Sequence, residues 1–415
     1  MTPRPKVLLF STLYPSSVRP GHGSFVATRL QQLLATGAVE AKVVAPVPWF
    51  PVRHARFGEY ARMARTPAHE SVNGIETWHP RYLLPPKIGM SIAPVALATG
   101  AAGTLRRLIE QGFDFDVIDA HYYYPDGVAA ALLARHFAKP LVITARGSDI
   151  NLIANHALPR RMMRWAAKRA NASIAVSAAL AGAMRAHGIV SESMTVLRNG
   201  VDLDCFQCLP QAAARAELGW PEAPTLISVG NLIEGKGHRL AIEALASLPD
   251  FRLCVVGSGP DDEALKSLAR RLGVAQRVEL CGRVAQDRMS LRYSAADILV
   301  MPSLREGAPN VVLEAMACGT PVVATAVGGI PELVSEPVAG RLMADRTVEH
   351  LVGAVRDLRA QRVDRQAVRE HASRFGWSDA TRGQLELFTR LAVAGAAVCA
   401  PRSAAGDGTA PGAQA

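Results

Sequence analysis

The chain has 415 residues, of which 49% are hydrophobic, and its formal net charge at pH 7 is +10. This length exceeds one ordinary core and predicts two domains of roughly 200 residues each. No uninterrupted apolar run reaches the roughly 18 residues that a membrane span needs, so an integral membrane protein is not expected. The nearest run, residues 89–105, contains Pro94 and predicts a loop followed by a buried helix.

The positive charge is concentrated in the first half of the chain. Residues 1–200 carry a net charge of +12 and the remainder carries −2. A one-sided basic field is typical of proteins that bind nucleic acid, a membrane surface or a phosphorylated substrate. The alternative is an arginine-rich proteome, in which Arg simply replaces Lys. Among the six cysteines only Cys205 and Cys208 form a CxxC pair, which predicts free thiols in a reducing cytoplasm and no metal site.

Strand and helix patterns alternate from the N-terminus onward. The first apolar segment, residues 6–10, predicts a strand rather than a signal peptide. Further strands are predicted at residues 41–45, 116–120, 141–145 and 172–176, with helices at 25–34, 127–135 and 160–170. Such alternation is typical of a parallel sheet with crossover helices.

The pattern restarts after a break rich in turn residues at 199–224. Strands are then predicted at residues 225–230, 251–256, 278–281, 297–301 and 322–325, and helices at 238–246, 261–272 and 310–317. We therefore expect two Rossmann-like domains, residues 1–200 and 201–375, with a ligand at the carboxyl ends of the strands between them. A helix at 376–397 is expected to pack back on the first domain, and residues 398–415 predict a disordered tail.

The most informative segment is SLREGAPNVVLEAMACGTPVVAT, residues 303–325. A loop with Glu306 and Gly307 follows a predicted strand, and a helix begins near Asn310. Helix N-terminal amides attract phosphate oxygens, and a glycine allows close approach of the backbone. Glu306 and Glu314 are expected to face one cleft, where carboxylates accept hydrogen bonds from sugar and ribose hydroxyls. The alternative is a dipole-complementing Glu306 and a solvated Glu314.

A second motif, VGNLIEGKGH at residues 229–238, presents Lys236 between two glycines at a predicted helix start. A lysine there stabilises the charge of a departing diphosphate, although a surface turn lysine is the alternative. The VVGSGP segment at 255–260 lacks the third glycine of a dinucleotide fingerprint. In the first half, His121 and Arg146 each follow a predicted strand end, and Arg146 is suited either to an anionic substrate group or to an ion pair with Asp149.

The ordered segment from Glu306 to Glu314 resembles the E-x7-E signature of the family-4 retaining glycosyltransferases, which have the GT-B fold. The resemblance extends from Lys6 to about Leu391, and the first half is most similar to bacterial teichuronic-acid or exopolysaccharide enzymes. It implies an α/β protein with two Rossmann-like domains facing across a cleft. It also implies transfer of a sugar from a nucleotide diphosphate sugar to a saccharide or polyprenyl-diphosphate-linked acceptor.

The resemblance also assigns roles to individual residues. Glu306, His121 and Lys236 form the expected catalytic set, with none acting as a covalent nucleophile. Arg146 and Asp149 are expected on the acceptor side. The expected donor-binding residues are Gly23, Asn231, Lys236, Arg283, Val284, Glu306, Gly307, Ala308, Pro309, Asn310 and Glu314. The family usually has Arg where this chain has Asn231, which leaves Lys236 as the one strong cation of that pair.

No cofactor or metal is expected beyond the donor substrate, and no Asp-x-Asp site is expected beside the cleft. Basic stretches with interleaved apolar residues at 53–65 and 159–169 indicate either contact with an anionic membrane or helix faces with the apolar residues inward. The expectation is a cytoplasmic enzyme at the inner face of the membrane, without a nucleic-acid partner. The alternatives are a nucleotide-sugar epimerase on the same fold, a dinucleotide-dependent dehydrogenase and a nucleic-acid binder.

Overall fold

The computed structural model describes residues 4–52, 54–84 and 89–399. Its N-terminal part contains an eight-stranded sheet and a two-stranded sheet. The strands are β1 (Lys6–Phe10), β2 (Glu40–Val44), β3 (Val47–Pro48), β4 (His69–Val72), β5 (Ile75–Trp78), β6 (Arg81–Tyr82), β7 (Val117–His121), β8 (Leu141–Ala145), β9 (Ala172–Ala175) and β10 (Met194–Val196).

The large sheet has the strand order β10-β9-β8-β7-β1-β2-β5-β4, and every pair is parallel except β4 with β5. The helices around it are α1 (Ser24–Ala35), α2 (Gly58–Ala64), α3 (Gly89–Glu110), α4 (Val128–Phe137), α5 (Ser148–Asn151), α6 (Ala157–Ala167) and α7 (Ala178–Ala186). β7 and β8 are buried along their whole length because helices cover both faces of a parallel sheet.

The second sheet lies in the C-terminal part, has the order β13-β12-β11-β14-β15-β16 and is entirely parallel. Its strands are β11 (Thr225–Val229), β12 (Arg252–Val256), β13 (Val278–Gly282), β14 (Ile298–Met301), β15 (Val322–Thr325) and β16 (Gly340–Met343). The remaining helices are α8 (Gln211–Leu218), α9 (His238–Ala244), α10 (Asp262–Arg271), α11 (Met289–Ala295), α12 (Asn310–Ala317), α13 (Ile330–Leu333), α14 (Val348–Gln361), α15 (Arg365–Ser373) and α16 (Ser378–Cys399). The chain therefore forms two Rossmann-like α/β domains.

Helix α16 leaves the second sheet and packs on the first domain. Phe388 is fully buried in a cluster with Val7, Leu33 and Val117, which belong to β1, α1 and β7. The helix reaches Cys399, two residues beyond the predicted end. The rest of the predicted disordered tail, residues 400–415, lies outside the described residues.

The prediction of a loop at the start of residues 89–105 is wrong, since α3 is helical from Gly89 onward with Pro94 inside it. Proline lacks the amide that would bond to the carbonyl of Met90 four residues earlier. The hydroxyl of Tyr124 donates a hydrogen bond to that carbonyl instead, which satisfies it. None of the helices in the described part of the chain combines the length and apolar character needed to cross a bilayer.

Candidate active site

A cavity of about 650 Å³ lies between the two domains, at the carboxyl ends of the central strands. Both domains contribute to its wall, as expected for a ligand site in this fold class. Six of the residues named from the sequence line it: Gly23, Arg146, Asn231, Lys236, Arg283 and Glu306, together with the backbone of Gly307.

A second cavity of about 690 Å³ adjoins the first. The two cavities share five wall residues: Gly21, Phe25, Arg62, Asn231 and Arg283. Val284, Asn310 and Glu314 line only the second cavity, which places them apart from Glu306. The two glutamates of the E-x7-E segment therefore face the same interdomain cleft in two adjoining chambers.

Lys236 and Glu306 form an ion pair across the floor of the first cavity. The Lys236 Nζ atom lies 2.7 Å from Glu306 Oε1, and the Glu306 side chain is only 8% exposed. Gly237 begins α9 with φ +75°, and a Cβ there would lie 2.1 Å from the carbonyl oxygen of Pro302, just after β14. The close approach of these two turns requires glycine and brings Lys236 to the loop that carries Glu306.

Gly23 holds the corresponding turn after β1. It precedes α1 with φ +67°, and a Cβ there would lie 2.3 Å from the Leu13 carbonyl group. Only glycine fits this position, so the N-terminus of α1 approaches the first cavity without a side chain in the way.

Glu314 lies on α12 with its carboxylate against Tyr293. The Tyr293 hydroxyl donates a hydrogen bond of 2.9 Å to Glu314 Oε2. Burial raises the pKa of Glu314 to about 7, and the hydrogen bond from Tyr293 acts in the opposite, weaker direction. The carboxyl group is therefore half ionised near neutral pH, unlike the solvated side chain of the alternative interpretation.

His121, expected in the catalytic set, does not line either cavity. Its side chain is 1% exposed, and Arg146 lies between it and the cavity, with Nη2 2.5 Å from His121 Nδ1. Burial is the main cause that lowers the pKa of His121 to about 4. The imidazole is therefore neutral, accepts from Arg146 at Nδ1 and donates from Nε2 to Asp119 at 3.0 Å.

Asp149, expected on the acceptor side, does not line either cavity. Asp149 is fully buried, and its carboxylate accepts hydrogen bonds from the backbone amides of Tyr123, Arg146 and Gly147. It fixes the turn after β8 instead of forming a side-chain ion pair with Arg146. The Arg146 guanidinium instead bonds to His121 and to Asn199 Oδ1 at 3.1 Å.

The loop before α12 contacts the first domain. A Cβ on Gly307 would lie 2.4 Å from the carbonyl oxygen of Arg146, and Ser177 Oγ donates to the Gly307 carbonyl at 3.1 Å. Ala308 packs against the N-terminal core and Pro309 is buried, so neither lines the cavities. Both residues were expected to bind the donor, and in the structure Ala308 forms a contact between the domains.

Lys236 is one of several cations on the wall of the first cavity. Arg283 is fixed by a hydrogen bond of 2.8 Å from its Nε to Ser258 Oγ, and its Nη1 lies 3.9 Å from the Cβ position of Gly21 in the opposite domain. Arg19 and Arg62 also line the first cavity, as does Arg305. The sequence did not single out these three arginines, because only the fold brings their separate loops together.

An Asp-x-Asp segment does border the cleft, contrary to expectation. Asp202 lines the second cavity, while Oδ1 of the same residue accepts from the backbone amides of Asp204 and Cys205, each at 3.0 Å. That carboxylate oxygen is engaged in a local turn.

Cys254 and Cys281 lie on adjacent strands, and their Sγ atoms are 3.2 Å apart. Together with Glu279 they form a group with metal-ligand spacing. This thiol pair was missed, because Cys254 and Cys281 are remote in sequence.

Comparisons with known proteins show the family to which the chain belongs. The chain matches the family model for Glycosyltransferase Family 4 over residues 25–205 and that for Glycosyl transferases group 1 over residues 210–375. It is 31% identical over 337 residues to a Bacillus subtilis protein named as the teichuronic acid biosynthesis glycosyltransferase TuaC, covering 79% of this chain and 82% of that one. It is also 31% identical to the D-inositol 3-phosphate glycosyltransferase of Mycobacterium tuberculosis, over 72% of this chain and 66% of the relative.

Solved structures of similar fold include sucrose-phosphate synthase from Thermosynechococcus elongatus, with a TM-score of 0.78, 21% identity and coverage of 94% of this chain and 100% of that one. Another is Anabaena HepE in complex with UDP-glucose, with a TM-score of 0.69, 22% identity and coverage of 93% and 99%. The two domains and the cleft define a glycosyltransferase of the GT-B fold. The chain belongs to the family-4 glycosyltransferases, and its activity is glycosyl transfer in glycan biosynthesis.

Proposed function

We propose that the protein transfers a sugar, with retention of anomeric configuration, from a nucleotide diphosphate sugar to a saccharide or lipid-linked saccharide in cell-surface polysaccharide synthesis. The carrying observation is the Lys236–Glu306 ion pair on the wall of the first chamber, which Asn231 and Arg283 connect to the second. The nucleoside occupies the second chamber near Glu314, and the sugar occupies the first chamber near Glu306. The diphosphate lies between them, beside Arg283.

The geometry supports electrostatic catalysis. Negative charge develops on the departing diphosphate, and preorganised cations facing that charge lower the barrier. Lys236 exchanges its bond to Glu306 for one to the diphosphate when the donor binds. Glu306 is then free to accept hydrogen bonds from sugar hydroxyls, while His121 acts indirectly by holding the Arg146 guanidinium in place.

The reaction is proposed to need no metal ion, because Lys236 and Arg283 supply positive charge where a metal would otherwise act. Activity after dialysis against EDTA is the test. Full activity supports the proposal, and loss of activity that returns with added Mg²⁺ or Mn²⁺ contradicts it.

The enzyme is proposed to act in the cytoplasm, peripherally bound to the anionic inner face of the membrane. Several large apolar side chains are exposed on one region of the first domain: Trp49, Phe57, Tyr60, Leu83 and Met90. The exposed Arg56 lies among them and supplies the charge that attracts anionic lipid. Flotation with phosphatidylglycerol vesicles, but not with phosphatidylcholine vesicles, is the expected result. Equal failure with both contradicts membrane binding.

A thermal-shift screen of UDP-, GDP- and ADP-sugars tests the donor assignment, because a ligand that binds only the folded protein raises its melting temperature. We expect one donor to stabilise the wild type and Lys266→Ala, which breaks exposed ion pairs with Asp262 and Glu263, but to stabilise Lys236→Ala less. The anomeric configuration of the product, read by NMR, then tests retention. Formation of an epimer of the donor without any acceptor would favour the epimerase alternative, which none of the relatives named above supports.

A further inference from the structure

The first cavity has more positive charge than a donor substrate needs. Its wall contains six cations and two carboxylates: Arg19, Arg62, Arg146, Lys236, Arg283 and Arg305 against Glu59 and Glu306. Four positive charges therefore remain when each carboxylate is counted against one cation. The diphosphate of a nucleotide sugar carries about two negative charges. The excess indicates that a second anionic group enters the same cavity.

Two of these arginines form a distinct group on the wall of the first domain. Arg62, on α2, donates from Nε to the Val18 carbonyl at 2.9 Å and from Nη1 to Glu59 at 3.2 Å. The bond to Val18 ties the helix to the loop that carries Arg19. Arg19 and Arg62 thus lie on neighbouring segments with Glu59 as their shared counter-ion.

Arg19 is the member of this pair that has an unsatisfied hydrogen-bond donor. Its Nε atom is buried and has no hydrogen-bond partner among the described residues. Burial lowers the pKa of Arg19, Glu59 raises it, and the nearby positive charge of Arg62 lowers it further. A partly desolvated guanidinium beside a like charge is unfavourable by itself and is stabilised by an anion that accepts several of its hydrogen bonds.

The position of Arg19 separates this site from the donor site. Arg19 lines the first cavity, whereas the wall of the second, nucleoside-sized cavity does not include it. Lys236 and Glu306 belong to the opposite domain. Arg62 lines both cavities, so Arg19 is the member of the pair that belongs to the first cavity alone. An anion bound at Arg19 lies on the first-domain wall, and in the proposed function this wall faces the acceptor.

We propose that Arg19 and Arg62 form a binding site for a phosphoryl group of the acceptor. The inference rests on the proposed function and adds the acceptor's chemical class, a saccharide that carries a phosphate or diphosphate. Arginine suits this role because its planar guanidinium matches two phosphate oxygens at once. A free sugar phosphate and a lipid-linked sugar diphosphate share this chemistry.

The test is calorimetric titration of the full chain with inorganic pyrophosphate, after saturation with whichever of UDP, GDP or ADP it binds. We expect binding to the nucleotide-saturated wild type. Arg19→Gln should weaken pyrophosphate binding at least about tenfold and change nucleotide affinity less than about twofold. Arg19→Lys, which keeps the charge, should lose less, and the matched control Arg185→Gln, at an exposed arginine on α7 that lines neither cavity, should lose nothing.

Two outcomes overturn the proposal. One is the absence of pyrophosphate binding once the nucleotide site is filled. The other is an equal loss of nucleotide affinity in Arg19→Gln with an unchanged melting temperature, which would assign the arginines to the donor diphosphate. A parallel titration with methyl phosphate separates the sources, since tighter binding of pyrophosphate favours a diphosphate-linked acceptor. If the wild type binds none of the three nucleotides, the proposed function fails instead.

Discussion

Lys236 and Glu306 lie on the turns after two neighbouring strands, β11 and β14, and their side chains meet at 2.7 Å. In the proposed function, substrate oxygens replace each partner, and the two charges are already held apart from bulk water before the donor binds. Buried or half-buried pairs of this kind contribute little net stability but strongly affect function when one partner is removed. The proposed catalysis depends on the exchange of the Lys236–Glu306 bond for bonds to the donor.

Removal of the lysine charge is expected to slow transfer. Lys236→Met keeps much of the side-chain volume and should lower kcat at least about 100-fold, because a donor to the developing diphosphate charge is lost. Steady-state kinetics with saturating donor measures the effect. Lys266→Met, at exposed ion pairs on α10 that line neither cavity, is the control and should retain wild-type turnover. Unchanged kcat in Lys236→Met would remove the residue from the mechanism.

Donor affinity is expected to rise with pH around neutrality. The pKa of Glu314 is raised to about 7, so its carboxyl group is mostly neutral at about pH 6 and mostly ionised at about pH 8. An ionised carboxylate accepts both hydrogen bonds of a ribose diol better than the neutral acid. Affinity for UDP-glucose should therefore increase up to about tenfold over this range, and Glu314→Gln should flatten the profile. The same slope in both proteins would contradict the role of Glu314.

Arg146 is expected to keep His121 neutral and away from substrate. In Arg146→Ala, water reaches the imidazole, and the pKa of His121 rises from about 4 toward its ordinary value. The pH profile of kcat at saturating donor, where donor affinity and Glu314 do not contribute, should gain an inflection between about pH 5 and pH 7 that the wild type lacks. Arg146→Lys should not restore activity, because one ammonium group cannot reproduce the bonds to His121 and Asn199. Superimposable profiles would show that Arg146 does not control the histidine.

Helix α16 is expected to stabilise the first domain. Phe388→Ala removes a fully buried ring from the cluster shared with β1 and β7 and should lower the free energy of unfolding by about 3–5 kcal/mol. Urea denaturation measures this loss. Val393→Ala changes a side chain on the same helix that is 56% exposed, and should have little effect. A similar loss in both variants would contradict a specific contribution of the buried Phe388 ring.

The sequence predicted the central strands well because buried parallel strands are continuous apolar runs, as in β8 and β15. Helix α12 was also predicted within its observed bounds, since its apolar spacing and flanking turns are clear. Strands β4 and β5 were missed, because they lie at the sheet edge and are partly exposed, which leaves a weak apolar pattern.

The candidate site was predictable where its residues follow strand ends, as for Lys236 and Glu306. Its electrostatics were not, because they depend on contacts between remote segments. Arg19 and Arg62 meet through a bond between residues 44 positions apart, and Arg283 reaches Gly21 only across the domain cleft. The burial of His121 behind Arg146 also depends on a contact that spacing alone does not predict.

The most direct test of the donor site is a calorimetric comparison of UDP and UDP-glucose, or of the nucleotide and sugar nucleotide that the screen selects, on the wild type, Lys236→Ala and Glu306→Ala. We predict that Lys236→Ala weakens both ligands at least about tenfold, because it removes a contact to the shared diphosphate. Glu306→Ala should weaken the sugar nucleotide more than the nucleotide, because it removes a contact to the sugar. Wild-type affinity for both ligands in both variants would contradict the assignment of this ion pair to donor binding.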